Sequence, residues 1–377
     1  MHLRLFGLIA LACACTGAIV AFALPAAASG HSAAHPAHPG HPAPMPGHNP
    51  GFPHLDHIFV IMMENTSYSD LLDPSNTNTT FIRSIANTYG LETNYSGVTH
   101  VSLPNYIAAT SGSNWGSNSD DVAQAPLFDH TNIVDQFEQR HVSWKAYMED
   151  LPSPGDTVAQ TADGLYVRKH DPFLMYPDIY NDPSRANNVV PLTQLDTDLS
   201  TNKVPQFVWI TPNQCNNMHG GTPSCPYPNS PTDANQVALY RDGDAFVKTW
   251  VTAIMHSKAW TGHSAIFVTW DESSFADDAP FGPNDTSGCC DAPRLPATPP
   301  NPSNGGGGDL AGGSVYGGGH VPMIVITRNG PHGSTDAAAT NHYSLLQTIE
   351  QNWNLPFLGN ASDTLQVHSL APLLKDH

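Results

Sequence analysis

Polar side chains that suit metal binding or acid–base chemistry follow three apolar segments of the chain. Glu64 and Asn65 follow the first segment, residues 213–219 follow the second, and Asp271 and Glu272 follow the third. Carboxylate, amide and imidazole groups are the ligands that divalent metal ions take in proteins. Any one of these sets would also suit an ordinary turn, but three together are harder to explain as turns and favour a functional site.

A serine stands where a helix is expected to begin. Ser102 precedes Pro104 and Asn105, and residues 107–110 are compatible with a helix. This pattern predicts that Ser102 is the N-cap, with its hydroxyl facing backbone N–H groups and the positive end of the helix. Such an arrangement binds phosphate and favours an alkoxide, which makes Ser102 a candidate nucleophile; a plain capping serine is the alternative.

Four short apolar runs predict the scaffold for these side chains. The runs are rich in β-branched and aromatic residues and are apolar on both faces, which is typical of buried strands in a parallel sheet; they are residues 57–63, 206–211, 264–270 and 321–327. Residues 133–140, 242–256 and 341–353 are candidate helices. We therefore predict an α/β fold with a mostly parallel central sheet and helices on both faces. Ligands of such sheets bind at the carboxyl ends of the strands, where the three polar sets fall.

Composition and charge exclude several partners. The chain has 377 residues and a formal net charge of −19, with 14 basic and 33 acidic side chains. Nucleic acid and anionic membrane surfaces are poor partners for such a protein. Charged residues make up 12% of the chain and hydrophobic residues 40%, so a globular protein with a substantial core is expected.

The amino-terminal region predicts export. Residues 1–28 combine a short basic start, an apolar segment and a small-residue A-x-A site, as in a secretory signal peptide; an uncleaved membrane anchor is the alternative. Residues 29–55 are rich in His, Pro, Ala and Gly and read as an extended linker. Residues 56–377 then form the functional domain. We expect a secreted or periplasmic protein without stable membrane insertion after signal cleavage.

Four cysteines remain after removal of the signal. They are Cys215, Cys225, Cys289 and Cys290. An even number of cysteines in an exported chain predicts disulfides. The sequence leaves the pairing open, because bridges within each pair and crossed bridges between the two pairs both remain possible.

Seven motifs, in this order, resemble the bacterial phosphoesterase family. They cover nearly all of residues 56–356 and read HIFVIMMENTSYSDLL, HVSLPNYIAATSG, YMEDLP, YVRKHDPF, WITPNQCNNMHG, AIFVTWDESS and NHYSLLQTIEQNWNLP. The resemblance implies a fold like that of alkaline phosphatase. The family includes secreted acid phosphatases and phosphatidylcholine-type phospholipases C, and the motifs are most similar to the short secreted acid phosphatases. The Gly- and Pro-rich stretch at residues 275–319 resembles the family least.

The resemblance also implies roles for individual residues. Ser102 would be the nucleophile and Asn105 would hydrogen-bond a phosphoryl oxygen. One divalent metal ion would lie nearest Ser102, with Glu64, Asp271 and Glu272 as its ligands. His219, His342 and Asn217 would form a second metal site or the remnant of one. His219 or His342 would also activate water. The residues expected to contact the substrate are Asn65, Lys145, Lys169 and His170. Relatives usually carry an aspartate at the position of Asn217, which puts the second metal in doubt.

The function expected from the sequence is therefore a phosphatase. It would hydrolyse phosphomonoesters, with phosphoinositides as possible substrates, through a phosphoserine intermediate and with the help of one or two divalent metal ions. A phospholipase C that cleaves phosphodiesters is one alternative, and a non-catalytic metal- or phosphate-binding protein is another. The expected partner is a small phosphorylated substrate or a phospholipid headgroup.

Overall fold

The structure is a computed structural model that describes residues 52–122, 128–228, 233–274, 285–294 and 315–375. The β-strands in these ranges are β1 (His57–Met63), β2 (Gly90–Glu92), β3 (Tyr95–Ser96), β4 (Trp144–Met148), β5 (Val189–Pro191), β6 (Phe207–Thr211), β7 (Ser264–Trp270), β8 (Met323–Thr327), β9 (Thr335–Asp336) and β10 (Thr340–Asn341). The α-helices are α1 (Tyr68–Leu72), α2 (Thr80–Thr88), α3 (Ser102–Ser111), α4 (Ile133–Gln139), α5 (Pro177–Tyr180), α6 (Pro183–Ala186), α7 (Thr193–Thr201), α8 (Ala234–His256) and α9 (His342–Asn352).

Eight of these strands form the central sheet, in the order β5-β4-β6-β1-β7-β8-β2-β9. Strand β8 is antiparallel to both of its neighbours, whereas the other pairings in the sheet are parallel. The prediction of a mostly parallel α/β sheet is confirmed. The expectation that residues 321–327 add a parallel strand is wrong. Strand direction depends on the path of the preceding connection, and the residues of an apolar run do not indicate it.

All four predicted strand segments lie at the centre of the sheet. Strands β6, β1, β7 and β8 are adjacent, and nearly all of their residues are buried. Burial at both odd and even positions means that both faces of the sheet are covered, since successive side chains point to opposite faces. Helix α3 packs against α9, and α2 packs against α8.

The predicted helices are present, although one is longer than expected. Helix α4 lies within residues 133–140 and α9 within residues 341–353. Helix α8 begins at Ala234, eight residues earlier than predicted, and the Asp233 side chain caps it by accepting a hydrogen bond from the Asn235 N–H at 2.8 Å. Residues 234–241 include Asn235, Gln236 and Arg241, so apolar periodicity does not mark these first two turns as helical.

The two cysteine pairs are joined locally, Cys215 to Cys225 and Cys289 to Cys290. This decides between the pairings that the sequence left open. Within the part of the chain that the structure describes, no helix is both long enough and apolar enough to cross a membrane. The expected signal peptide at residues 1–28, and the linker up to residue 51, lie outside the described residues.

Candidate active site

The three polar sets meet at one edge of the sheet. Strands β6, β1 and β7 are neighbours and run parallel, so the residues that follow them emerge side by side. The Asn65 backbone N–H donates a hydrogen bond to Asp271 Oδ1 at 3.2 Å, which joins the segment after β1 to the segment after β7. The Glu64 N–H donates to the Asn217 backbone carbonyl at 2.9 Å, which joins it to the segment after β6.

Ser102 lies at the centre of this edge. It is the first residue of α3, and Val101 occupies the N-cap position. The Ser102 hydroxyl is 3.1 Å from Glu64 Oε2 and 3.2 Å from Glu272 Oε1. The expectation that Ser102 is the N-cap is therefore corrected. An N-cap hydroxyl accepts from helix N–H groups, whereas the Ser102 hydroxyl donates toward the carboxylates that follow β1 and β7.

Glu64 is held from two sides. The Tyr106 hydroxyl donates to Glu64 Oε1, and His170 Nε2 lies 3.2 Å from the same oxygen. Burial raises the pKa of Glu64 well above its ordinary value, and the nearby Asp271 carboxylate raises it further. Tyr106 was missed in the sequence, although it follows Ser102 by four residues and so lies on the same face of α3.

Asp271 combines burial with an unused acceptor. Its Oδ1 accepts hydrogen bonds from the N–H groups of Asn65 and Glu272, the latter at 2.7 Å. Its Oδ2 is buried and meets no hydrogen-bond donor among the described residues. Burial raises the pKa of Asp271 to about 7. The adjacent carboxyl groups of Asp271 and Glu272, with an Asp271 oxygen that accepts no hydrogen bond among the described residues, form a ligand set that suits a divalent cation.

Glu272 connects Ser102 to a histidine that the sequence analysis did not select. One Glu272 oxygen accepts from Ser102, and the other contacts Nδ1 of His100. His100 Nε2 is 2.9 Å from the backbone oxygen of Asp285. Nε2 carries a hydrogen because a carbonyl oxygen only accepts hydrogen bonds. The contact between His100 Nδ1 and Glu272 needs a second hydrogen, carried by one of these two groups. Burial lowers the pKa of His100 to about 4.

Two histidines and Glu64 form a group that could hold a metal ion. Potential ligand atoms of Glu64, His170 and His219 all lie within 4.8 Å of one another, and all three residues are buried. Burial, with the nearby charge of Lys169, lowers the pKa of His170 well below its ordinary value and that of His219 to about 3. Both imidazoles are therefore neutral, which is the form that binds metals. The family resemblance implies substrate contact for His170, which here lies among these possible metal ligands.

Lys169 brings a positive charge into the same group. Its Nζ lies 2.7 Å from Asp120 Oδ2 and 3.5 Å from His219 Nε2. Burial acts to lower the pKa of Lys169, but the carboxylates of Asp120 and Glu64 outweigh burial and raise it. The other Asp120 oxygen accepts from the Leu103 N–H at 2.9 Å, which ties Lys169 to the first turn of α3.

Asn105 lies near Ser102, and its side chain bonds the backbone of the loop that leads into α3. Its Oδ1 accepts from the N–H groups of Val98 and Thr99 at 2.8 and 3.0 Å. Its Nδ2 donates to the carbonyls of Thr99 and Val101 at 2.6 and 3.1 Å. In this structure the amide holds the loop at residues 98–101 that leads into Ser102, and its bond to a phosphoryl oxygen stays a prediction.

Two of the expected ligands of a second metal are placed otherwise. Asn217 Oδ1 accepts from the His219 backbone N–H at 2.7 Å, so this amide shapes the loop after β6. His342 uses both ring nitrogens, with Nδ1 2.9 Å from the Tyr95 hydroxyl and Nε2 2.6 Å from the backbone oxygen of Asp271. In this structure Asn217 braces a loop and His342 positions the segment that carries Asp271, and their roles as ligands of a second metal ion stay predictions.

The remaining substrate-contact candidates differ in their placement. Lys145 is in β4, and its Nζ pairs with Asp198 Oδ2 of α7 at 2.6 Å, so it stabilises a helix against the sheet and does not join the group around Ser102. Asn65 follows Glu64 directly with a φ of 42° and is buried beside Asp271. The structure thus brings Asn65, Lys169 and His170 to the site and leaves Lys145 outside it.

Comparison with known proteins agrees with this architecture. The sequence pattern of the Phosphoesterase family matches residues 75–356, and the chain belongs to that family. The acid phosphatase of Aspergillus fumigatus is 25% identical over 309 residues, which cover 81% of this chain and 56% of the relative. The phosphatidylinositol-3-phosphatase of Mycobacterium tuberculosis is 25% identical over 313 residues, which cover 82% of this chain and 81% of the relative. The chain spans little more than half the length of the fungal relative.

Solved structures share the fold at low sequence identity. A Bacteroides thetaiotaomicron protein of a glycosaminoglycan-metabolism locus aligns with a TM-score of 0.53 and 10% identity, over 85% of this chain and 82% of its own. At this level of identity the likeness concerns the fold alone.

Proposed function

We propose that this protein is an exported phosphatase that hydrolyses phosphomonoesters with Ser102 as the nucleophile. The observation that carries the proposal is the Ser102 hydroxyl, buried at the start of α3 between the carboxylates of Glu64 and Glu272. A hydroxyl that donates to carboxylates is prepared to lose its proton. Export rests on the leader pattern at residues 1–28.

The residues present fit a divalent metal ion. Glu64, Asp271 and Glu272 supply buried carboxylates, His170 and His219 supply neutral imidazoles, and Asp271 Oδ2 has no donor among the described residues. When bound, such an ion would lower the pKa of a hydroxyl and offset the negative charge of phosphate. These five side chains are our proposed ligands, with Glu64, Asp271 and Glu272 nearest Ser102.

The side chains of this site support a two-step reaction. In the first step Ser102 Oγ attacks phosphorus, its proton passes to the Glu272 or Glu64 carboxylate, and the ester oxygen leaves with a proton from solvent. In the second step water attacks the phosphoserine, phosphate departs, and Ser102 regains its proton. His219 Nε2 faces an ammonium that can only donate, so it carries the lone pair with which this imidazole would bind the ion. The proton that the attacking water loses passes to solvent.

The substrate class rests on the relatives. Acid phosphatases and a phosphatidylinositol-3-phosphatase share the sequence pattern of this chain at about a quarter identity. We therefore propose phosphomonoesters as the substrates, with phosphoinositide headgroups among those to be tested first.

The test of the nucleophile uses the full-length protein and a panel of phosphomonoesters, phosphoinositides and choline phospholipids. Ser102→Ala is expected to lower kcat by at least about 10³-fold and to abolish the covalent phosphoryl adduct seen by intact-protein mass spectrometry. Ser111→Ala, at the other end of α3, is the matched control because the Ser111 hydroxyl bonds the Ile107 carbonyl and the Trp115 indole and lies away from Ser102. Chelation should lower activity, and added metal should restore it. Near-normal hydrolysis by Ser102→Ala would contradict the proposal.

A further inference from the structure

An exposed aromatic side chain lies at the rim of the site. The Tyr227 ring is 5.5 Å from the ring of His219, with an angle of 50° between the two planes, and 48% of the Tyr227 surface is exposed. His219 itself is buried, and its Nε2 faces Lys169 Nζ at 3.5 Å. Tyr227 therefore stands where the buried group around His219 meets solvent, and the reaction described above gives it no part.

The loop that carries Tyr227 is held by covalent and hydrogen bonds. The disulfide between Cys215 and Cys225 closes this loop two residues before the tyrosine. Within the loop, the Thr222 N–H donates to the Cys225 carbonyl at 3.2 Å, and the Cys225 N–H donates to the Thr222 hydroxyl at 3.2 Å. Because the support of the ring is braced in this way, little conformational entropy is lost when a ligand packs against it.

A glycine gives the ring its place on the loop. Gly221 has a φ of 85°, and a side-chain carbon at this position would lie 2.5 Å from Tyr227 Cζ. Glycine permits both this backbone conformation and the close approach of the ring. The hydroxyl end of Tyr227 is thus held against the loop, and the exposed surface of the ring remains for a ligand.

Tyr227 is separated from Ser102 by two side chains of the site. The Ser102 hydroxyl contacts Glu64, the ligand atoms of Glu64 and His219 lie within 4.8 Å of one another, and the Tyr227 ring follows beside His219. In-line attack by Ser102 places the leaving oxygen on the far side of phosphorus from the serine. The group that leaves with this oxygen then extends toward Tyr227.

We propose that Tyr227 selects phosphomonoesters with an aromatic leaving group by packing its ring against that group. This inference rests on the proposed phosphatase function and deepens it by naming the substrate class. An aromatic ring favours contact with another ring through apolar area and ring–ring attraction, whereas an alkyl alcohol such as glycerol offers a smaller and more polar surface. The selection acts on substrate binding and leaves phosphoryl transfer at Ser102 unchanged.

The test compares phenyl phosphate with glycerol 2-phosphate as substrates of the full-length protein. Tyr227→Ala is expected to raise KM for phenyl phosphate about 3- to 10-fold with little change in kcat, and to leave both constants for glycerol 2-phosphate nearly unchanged. Tyr227→Phe keeps the ring and should behave like the wild type. Each variant is compared with the wild type on the same ester, so the different reactivities of the two leaving groups cancel.

Trp115→Ala is the matched control. Trp115 is also exposed, but its indole donates to the Ser111 hydroxyl at the end of α3 opposite Ser102, so its loss should alter the kinetics of neither ester. An unchanged KM for phenyl phosphate in Tyr227→Ala, or an equal rise for both esters, would overturn the inference, as would a Tyr227→Phe protein with the KM of Tyr227→Ala. If the wild-type protein hydrolyses neither ester, the proposed function fails and this inference with it. Hydrolysis of both esters by a Tyr227→Ala protein with wild-type constants would remove this inference alone.

Discussion

At the scale of single residues, His100 orients Glu272. Glu272 accepts the Ser102 hydroxyl through one oxygen and contacts His100 Nδ1 through the other, while His100 Nε2 bonds the Asp285 carbonyl. The imidazole therefore fixes the direction in which the Glu272 carboxylate faces Ser102. This makes His100 a positioning residue with two separable contacts.

Two substitutions separate these contacts. An asparagine amide reaches about the position of Nδ1 and a glutamine amide about that of Nε2, so His100→Asn should keep the bond to Glu272 and His100→Gln should keep the bond to Asp285. We expect His100→Gln to lower kcat about 100-fold and to weaken metal binding, with KM little changed, and His100→Asn to retain most activity. Steady-state kinetics and calorimetric metal titration of both variants provide the measurement.

Equal losses in the two variants would show that His100 acts through packing alone. Thermal unfolding of both proteins serves as the control, because both substitutions remove the same buried ring.

At the scale of elements, the loop at residues 98–101 and the start of α3 are held together by one side chain. Asn105 makes four hydrogen bonds to the backbone of this loop, which would otherwise lack partners in a buried region. The position of Ser102 at the sheet edge therefore depends on Asn105, although Asn105 does not face the site.

Asn105→Ala is expected to reduce both stability and activity. Loss of the amide leaves buried N–H and C=O groups unpaired, which should lower the free energy of unfolding by about 3 kcal/mol, and the displaced loop should lower kcat. Equilibrium urea unfolding and kinetics measure the two effects.

Asn352→Ala is the control for the stability effect. Asn352 makes a similar pair of buried bonds to the backbone of Leu55, far from Ser102, so its loss should lower stability and leave kcat intact. If Asn105→Ala lost activity at unchanged stability, Asn105 would instead contact the substrate, as the family resemblance implies.

At the scale of the whole molecule, buried carboxyl groups outside the site couple stability to pH. Glu92 of β2 is fully buried near Asp336, and burial, followed by the charge of Asp336, raises the pKa of Glu92 to about 7 from an ordinary value of 4.5. Between these values the folded state holds a proton that the unfolded state has released. Stability therefore falls as pH rises from about 4.5 to about 7.

Glu92→Gln should remove this part of the pH dependence. The variant and the wild type should be similarly stable at pH 4, where both side chains are neutral, and the variant should be about 2 to 3 kcal/mol more stable at pH 8. Urea unfolding at both pH values measures the difference. Asp129→Asn, at an exposed position, is the control for loss of one carboxylate. Equal gains at pH 4 and pH 8 would rule out the ionisation of Glu92 as the cause.

Periodicity, residue type and motif order were enough to predict the α/β fold, the four central strands and the meeting of three polar sets at one sheet edge. These features depend on local pattern and on the rule that parallel strands present their carboxyl ends together. The family resemblance added the roles of Ser102 as nucleophile and of the carboxylates around it as metal ligands.

Tertiary structure decided the direction of β8, the cysteine pairing and the hydrogen-bond partners of individual buried side chains. Asn105, Asn217 and His342 have the residue types of phosphate or metal contacts, but each bonds backbone groups. Asn105 and Asn217 bond their own loops, and His342 bonds Asp271, which is 71 positions away in the chain. His100 belongs to the site because it contacts Glu272, which follows β7. Tyr106 belongs to it because it donates to Glu64, which follows β1. A buried polar group bonds whatever partner the packing supplies. For Tyr106 and His342 that partner lies far away in the chain, so the spacing around the residue itself does not encode it.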